Sequence, residues 1–130
     1  MEIFLWEKYE IYFYDEVVDF MEKLGESDPD KATEIFQDFF EKIKNGIGLP
    51  TEYAHGHRKL KNLHDDLWEY REKSQKIECL IRIYFGIDKE NKIIILLGGQ
   101  FKHDDKEQKS KLNTIRKRWD TYKGKRCKKL

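Results

Sequence analysis

Two cysteines in 130 residues are too few for a disulfide-stapled scaffold, and they lie in unlike settings: Cys79 in an apolar stretch, Cys127 in a basic tail. Both are expected to be reduced and unpaired. Long apolar runs are missing too. No stretch approaches the roughly 18 residues that a membrane-spanning helix needs, and residues 1–14 lack the basic, apolar, small-residue order of a secretion signal. The expected location is therefore the cytoplasm. There is no internal repeat, and low complexity is confined to the lysine-rich tail after Gly124.

What is present suits one folded domain spanning 1–130. Hydrophobic residues make up 38% and aromatics 14% of the chain, enough for a packed interior even though 39% of positions are charged. The net charge of +1 hides a segregation. Residues 1–50 carry 13 acids and 5 bases, whereas residues 102–130 carry 12 bases and 4 acids. Such a basic end suits a polyanionic partner; a solvated surface of mixed sign is the plainer alternative.

Apolar periodicity divides the chain into elements. Residues 3–13 mix β-branched and aromatic side chains and predict a first strand. Val17, Phe20, Met21 and Leu24 recur at helical spacing, with Gly25 as a stop. Ser27-Asp28-Pro29-Asp30 then supplies cap residues and a first-turn proline for a second helix whose stripe is Ala32, Ile35, Phe36, Phe39, Phe40 and Ile43, ended by Gly46, Gly48 and Pro50. Three strands follow over 67–73, 77–87 and 92–101. Last comes a basic helix over 105–122 with Leu112, Ile115, Trp119 and Tyr122 on one side. The expected class is α+β, order βααβββα, a mainly antiparallel sheet packed on one face by helices.

A two-residue turn at Ser74-Gln75 would set Arg71 opposite Glu78, Glu69 opposite Leu80 and Leu67 opposite Arg82. Alternation then puts Trp68, Tyr70, Ile77, Cys79, Ile81, Ile83 and Phe85 on the core face. Glu69, Arg71, Glu78, Arg82 and Tyr84 fall on the open face. Two arginines there suit a phosphate-binding floor, although Arg71 with Glu78 also suits a structural cross-strand pair.

Several strings in this order resemble the HigB-like, phage-derived branch of the RelE/ParE toxins. They are Arg58-Lys59-Leu60-Lys61-Asn62-Leu63, Leu67-Trp68-Glu69-Tyr70-Arg71, Arg82-Ile83-Tyr84-Phe85-Gly86-Ile87-Asp88 and Ile94-Ile95-Leu96-Leu97-Gly98-Gly99-Gln100-Phe101-Lys102. Arg116-Lys117-Arg118-Trp119-Asp120-Thr121-Tyr122 matches the family's helical close. The matches fall within residues 58–122, and the acidic N-terminal part agrees only in layout. The resemblance implies a RelE-like fold and a ribosome-dependent mRNA endoribonuclease, restrained by an antitoxin encoded beside it, of HigA-like, helix-turn-helix type. It also implies site residues: Lys59 and Lys61 before the hairpin, Arg71, Arg82 as phosphate and transition-state clamp, and Lys102.

The reaction this implies is attack of a neighbouring 2′-hydroxyl on the phosphodiester, which calls for neither metal nor cofactor. A histidine, here His103, is a side chain able to donate or accept a proton near neutral pH. Tyr84 suits stacking on a base or donating its hydroxyl, or simple packing. A zinc site from His55, His57 and His64 lacks a completing ligand. The basic helix suits ribosomal RNA, an acidic antitoxin, or packing alone. Two rivals remain: a ParE-like gyrase inhibitor that cuts nothing, and a noncatalytic module that binds RNA or antitoxin.

Overall fold

Proline lacks an amide hydrogen and pushes the preceding residue out of helical geometry, so the acidic N-terminal part is cut into two helices at Asp28-Pro29. The computed structural model describes residues 2–6, 9–46, 60–102 and 105–128, with side chains within 9–39, 60–101 and 109–125. Helix α1 spans Asp15–Ser27 and α2 spans Pro29–Gly46. Asp28 joins them with φ −153° and caps α2, its Oδ1 accepting the Lys31 amide at 3.2 Å. Gly25, read as a helix stop, lies inside α1 instead. The cap at Asp28 supersedes it because it satisfies a first-turn amide of α2 that a glycine side chain cannot.

Among the described residues, six strands form one sheet: β1 (Glu2–Trp6), β2 (Tyr9–Phe13), β3 (Leu60–Asn62), β4 (Leu67–Ser74), β5 (Cys79–Asp88) and β6 (Ile93–Lys102), in the spatial order β1-β2-β6-β5-β4-β3. All neighbours are antiparallel except β2 and β6. A last helix, α3, spans Asp105–Lys128. The predicted strands of the second half lie where expected, but three expectations are corrected. The run 3–13 is a hairpin rather than one strand, with Phe4 opposite Ile11 and Trp6 opposite Tyr9; the consecutive polar residues Glu7-Lys8, which interrupt the run, were the signal for it. Residues 60–62 form a short edge strand against Trp68 to Tyr70. The turn between them holds His64, Asp65 and Asp66 at φ 72°, 63° and 60°, with the His64 amide bonded to Asn62 Oδ1 at 2.8 Å. A polar side chain bonded to its local backbone makes left-handed geometry easier to hold.

The third correction concerns faces. Helices α1 and α2 cover one side over Ile11, Phe20, Leu24, Ile35 and Phe39, together with Trp68, Tyr70, Ile81, Ile83 and Phe85 of the hairpin. The opposite side is not open: α3 packs Ile115 and Trp119 onto Leu67, Tyr84, Ile95 and Leu97. The sheet is therefore packed on both faces. Gly86 permits this, since a Cβ there would lie 2.4 Å from the Trp119 ring. Cys79 is buried on the α1/α2 side, and burial pushes its thiol pKa up. Among the described residues, no helix is long and apolar enough to cross a membrane.

Polar contacts fasten α3 along its length. Lys111 and Arg118 both bind the Glu16 carboxylate, and Arg118 Nη1 donates to the Leu97 carbonyl at 2.5 Å. Burial alone would raise the Glu16 pKa, but hydrogen bonds and charge from Lys111 and Arg118 outweigh it and hold the carboxyl below its ordinary range. A depressed folded-state pKa means stability that is present above the unfolded value and lost as pH falls through the folded one. Glu16→Gln is therefore expected to cost roughly 0.5–1 kcal/mol near neutral pH, the pair being partly exposed. The gap from wild type should close in acid. Urea unfolding at both pH values checks this; an undiminished gap in acid would assign the effect to something other than the carboxylate charge.

Candidate functional site

A four-residue loop, not the predicted two-residue one, sets the hairpin register. Ser74 pairs with Cys79, and residues 75–78 form the turn, with Glu78 at φ 49°. The Ser74 hydroxyl holds this turn to the capping residue 46 positions earlier, donating to Asp28 Oδ2 at 3.0 Å and accepting the Ile77 amide at 3.3 Å. Arg71 consequently faces Arg82, four residues beyond the predicted Glu78, while Glu69 faces Tyr84 and Leu67 faces Gly86. An even shift preserves sidedness, so the division of the hairpin into two faces stands while its pairs change.

Directly paired residues share a face, so Lys61 on β3, Glu69 and Arg71 on β4, Arg82 and Tyr84 on β5, and Gln100 on β6 all project to the α3 side. Lys61 is exposed and Arg71 half-buried. Arg82 is only 3% exposed and Glu69 0%. Their side chains meet diagonally, with Arg82 Nη1 2.7 Å from Glu69 Oε1. The contact is close but poorly directed: Arg82 Nε and Nη1 and both Glu69 carboxylate oxygens are buried without an aligned hydrogen bond.

Tyr84 is fully buried and donates to Gln100 Oε1 at 3.1 Å. Burial, reinforced by the Glu69 charge and opposed by Arg82, leaves its hydroxyl pKa pushed up to about 12. It therefore stays protonated at physiological pH and is not presented to stack on a base.

The expected site residues are thus partly brought together. Lys61, Arg71 and Arg82 occupy one face of three adjacent strands, and Lys102 ends β6 opposite Leu80 in the same register. The side chain of Lys102, and residues Lys59 and His103, lie outside the described residues, as do His55 and His57. His64 is exposed. Among the described residues, no cluster of three or more His, Cys, Asp or Glu could hold a metal ion.

Sequence reasoning missed Glu69 and Gln100. Glu69 was assigned the correct face, but the register placed it across from Leu80 rather than diagonally from Arg82. An acid within the apolar string Leu67-Trp68-Glu69-Tyr70 was itself a signal, because carboxylates are almost never fully buried unless paired. No family model matches the chain, and neither a curated protein nor a solved structure matches it.

Proposed function

We propose that the chain is a toxin of the RelE/ParE superfamily, in its HigB-like branch, that cuts mRNA on the ribosome and is held inactive by a helix-turn-helix, HigA-like antitoxin. The observation that carries this reading is Arg71 set directly across from Arg82, with Lys61 one strand away on the same face. Arginine side chains on paired positions of one face, with a lysine on the neighbouring strand, suit the oxygens of an RNA phosphodiester. The 2′-oxygen loses its proton and bonds to phosphorus; the bond from phosphorus to the 5′-oxygen breaks, and that oxygen takes up a proton. The products are a 2′,3′-cyclic phosphate and a 5′-hydroxyl. In this reading Lys61 and Arg71 meet the RNA backbone, Arg82 and Lys102 offset charge on the phosphorane, and His103 carries a proton.

Arg71→Ala is the informative variant, because Arg71 is only half-buried while Arg82 is buried. It is expected to lower cleavage on the order of tenfold to a hundredfold, as loss of one charged hydrogen bond to the RNA backbone, worth roughly 1.5–3 kcal/mol, would do. Primer extension on a defined message, with and without 70S ribosomes, measures this. Cleavage by Arg71→Ala at the wild-type rate would remove Arg71 from the site. No cleavage by wild-type protein that still arrests growth would sink the nuclease reading and favour gyrase. The burial of Arg82 against Glu69 favours a second reading, a noncatalytic module that binds RNA or antitoxin; ribosome binding without cleavage or growth arrest would select it.

A further inference from the structure

Glu69 has no role in the reaction described so far, yet it has the least ordinary position in the sheet. Its carboxylate is fully buried on a strand floor, opposite Lys61 on one side and Tyr84 on the other, and Arg82 is its ion-pair partner. Removing a carboxylate and a guanidinium from water costs several kcal/mol per ion, and attraction offsets this only when the geometry is good and the remaining polar atoms are bonded. Neither condition holds here, since the pair lacks an aligned hydrogen bond on either carboxylate oxygen and on Arg82 Nε and Nη1. Two apolar side chains would occupy the same space without that penalty, so stability does not account for the pair.

The register supplies a reason. Arg82 is paired with Arg71 in the register, and like charges at directly paired positions are unfavourable. A long, flexible arginine side chain at position 82 would otherwise turn toward water. A negative charge buried beside it offsets this and fixes that arginine against the sheet. We infer that Glu69 is a positioning residue: its carboxylate is the internal counter-ion that fixes the Arg82 guanidinium on the face of the sheet it shares with Arg71. What Arg82 does once placed rests on the nuclease reading; the placing itself does not.

The test uses the full chain and two readouts. The first is the Arg82 Nε–Hε resonance, assigned by its loss in Arg82→Lys. The second is single-turnover cleavage on 70S ribosomes, measured with ribosome affinity. Glu69→Gln keeps the shape and removes the charge. It is expected to move the Arg82 resonance to the position of mobile, solvated arginines. Cleavage should fall about tenfold with ribosome affinity within about twofold, the pattern of lost orientation rather than lost binding. An unmoved resonance with wild-type cleavage overturns the role of Glu69 and leaves the nuclease reading standing. Parallel loss of cleavage, ribosome binding and thermal stability also overturns it, by making the residue merely structural.

If wild-type protein does not cleave, the nuclease reading fails and the resonance alone decides: displaced in Glu69→Gln, it supports the counter-ion; unmoved, it overturns it. Should Glu69→Gln not fold, Glu69→Asp replaces it. That variant keeps the charge but withdraws it by one methylene, and a partial displacement of the Arg82 resonance is expected. A resonance identical to wild type overturns the proposal.

Discussion

Arg82→Ala is expected to lose about 3–5 kcal/mol of folding stability, because it strands the Glu69 carboxylate as an uncompensated charge in the interior. Glu69 is 0% exposed and has Arg82 beside it at 2.7 Å. Against a total of roughly 5–15 kcal/mol for an ordinary domain, a loss of that size would leave much of the protein unfolded at 37 °C and open to proteolysis. Loss of growth arrest in this variant would therefore say little about chemistry. The double variant Glu69→Met/Arg82→Met separates the two effects. It fills the volume with apolar atoms, removes both charges and is expected to match or exceed wild-type stability, as other buried pairs replaced by packed apolar side chains have done. Urea unfolding of the three proteins measures this. A cost below about 1 kcal/mol for Arg82→Ala would mean that water reaches Glu69 once the arginine is gone, and would undercut the counter-ion argument as well. If the double variant is stable and inactive, the arginine is needed for activity; if it is stable and toxic, Arg82 has no part in the arrest.

The same pair marks how far the sequence could be read. The three long strands, the start of α2 at Asp28-Pro29 and the sidedness of the hairpin were legible because each rests on local chemistry: alternation, capping, and the missing amide of proline. The identity of cross-strand partners was not local. It depends on a turn held by the Ser74 hydroxyl on Asp28, a contact across 46 residues, and no pattern around Ser74-Gln75 signals it. Missing that bond shifted the partners by four positions, replacing an Arg71–Glu78 pair with the juxtaposition of Arg71 and Arg82. The even size of the shift kept the strand side chains on their predicted faces, which is why Arg71 and Arg82 were assigned to one face while the contact of Arg82 with Glu69 was not foreseen.

Placement of α3 was misread for a different reason. Its apolar stripe of Leu112, Ile115, Trp119 and Tyr122 was correctly identified and does pack, with Ile115 and Trp119 at 0% and 1% exposure. Periodicity gives the buried side of a helix but not which face of a sheet receives it. The receiving surface was nevertheless present in the sequence. Leu67, Ile95 and Leu97 are apolar residues on the side taken to be open, and an open face would have left them to solvent. Consequently the face that carries Lys61, Arg71 and Arg82 also carries part of the core.

Trp119 is the residue on which that core most depends, and Trp119→Ala is expected to cost about 3–5 kcal/mol, as truncation of a buried aromatic commonly does. The ring fills the space left by the absent side chain of Gly86 and stacks on Tyr122 at 5.4 Å with planes 12° apart. Its Nε1 donates to the Asp65 carbonyl at 2.8 Å, within the left-handed turn that leads from β3 into β4. One side chain thus ties α3 both to the middle of β5 and to the edge of the sheet that carries Lys61. Trp119→Phe keeps most of the apolar contact and loses the hydrogen bond, so it should cost about 0.5–1.5 kcal/mol, the net worth of one hydrogen bond to a carbonyl in an exposed turn. Urea midpoints for the two variants, with unfolding slopes compared to wild type, separate packing from hydrogen bonding. Equal losses would give the Asp65 bond the dominant part. A loss below about 1 kcal/mol in Trp119→Ala would contradict the docking of α3 on this face, since a buried indole cannot be removed so cheaply from a close-packed interior.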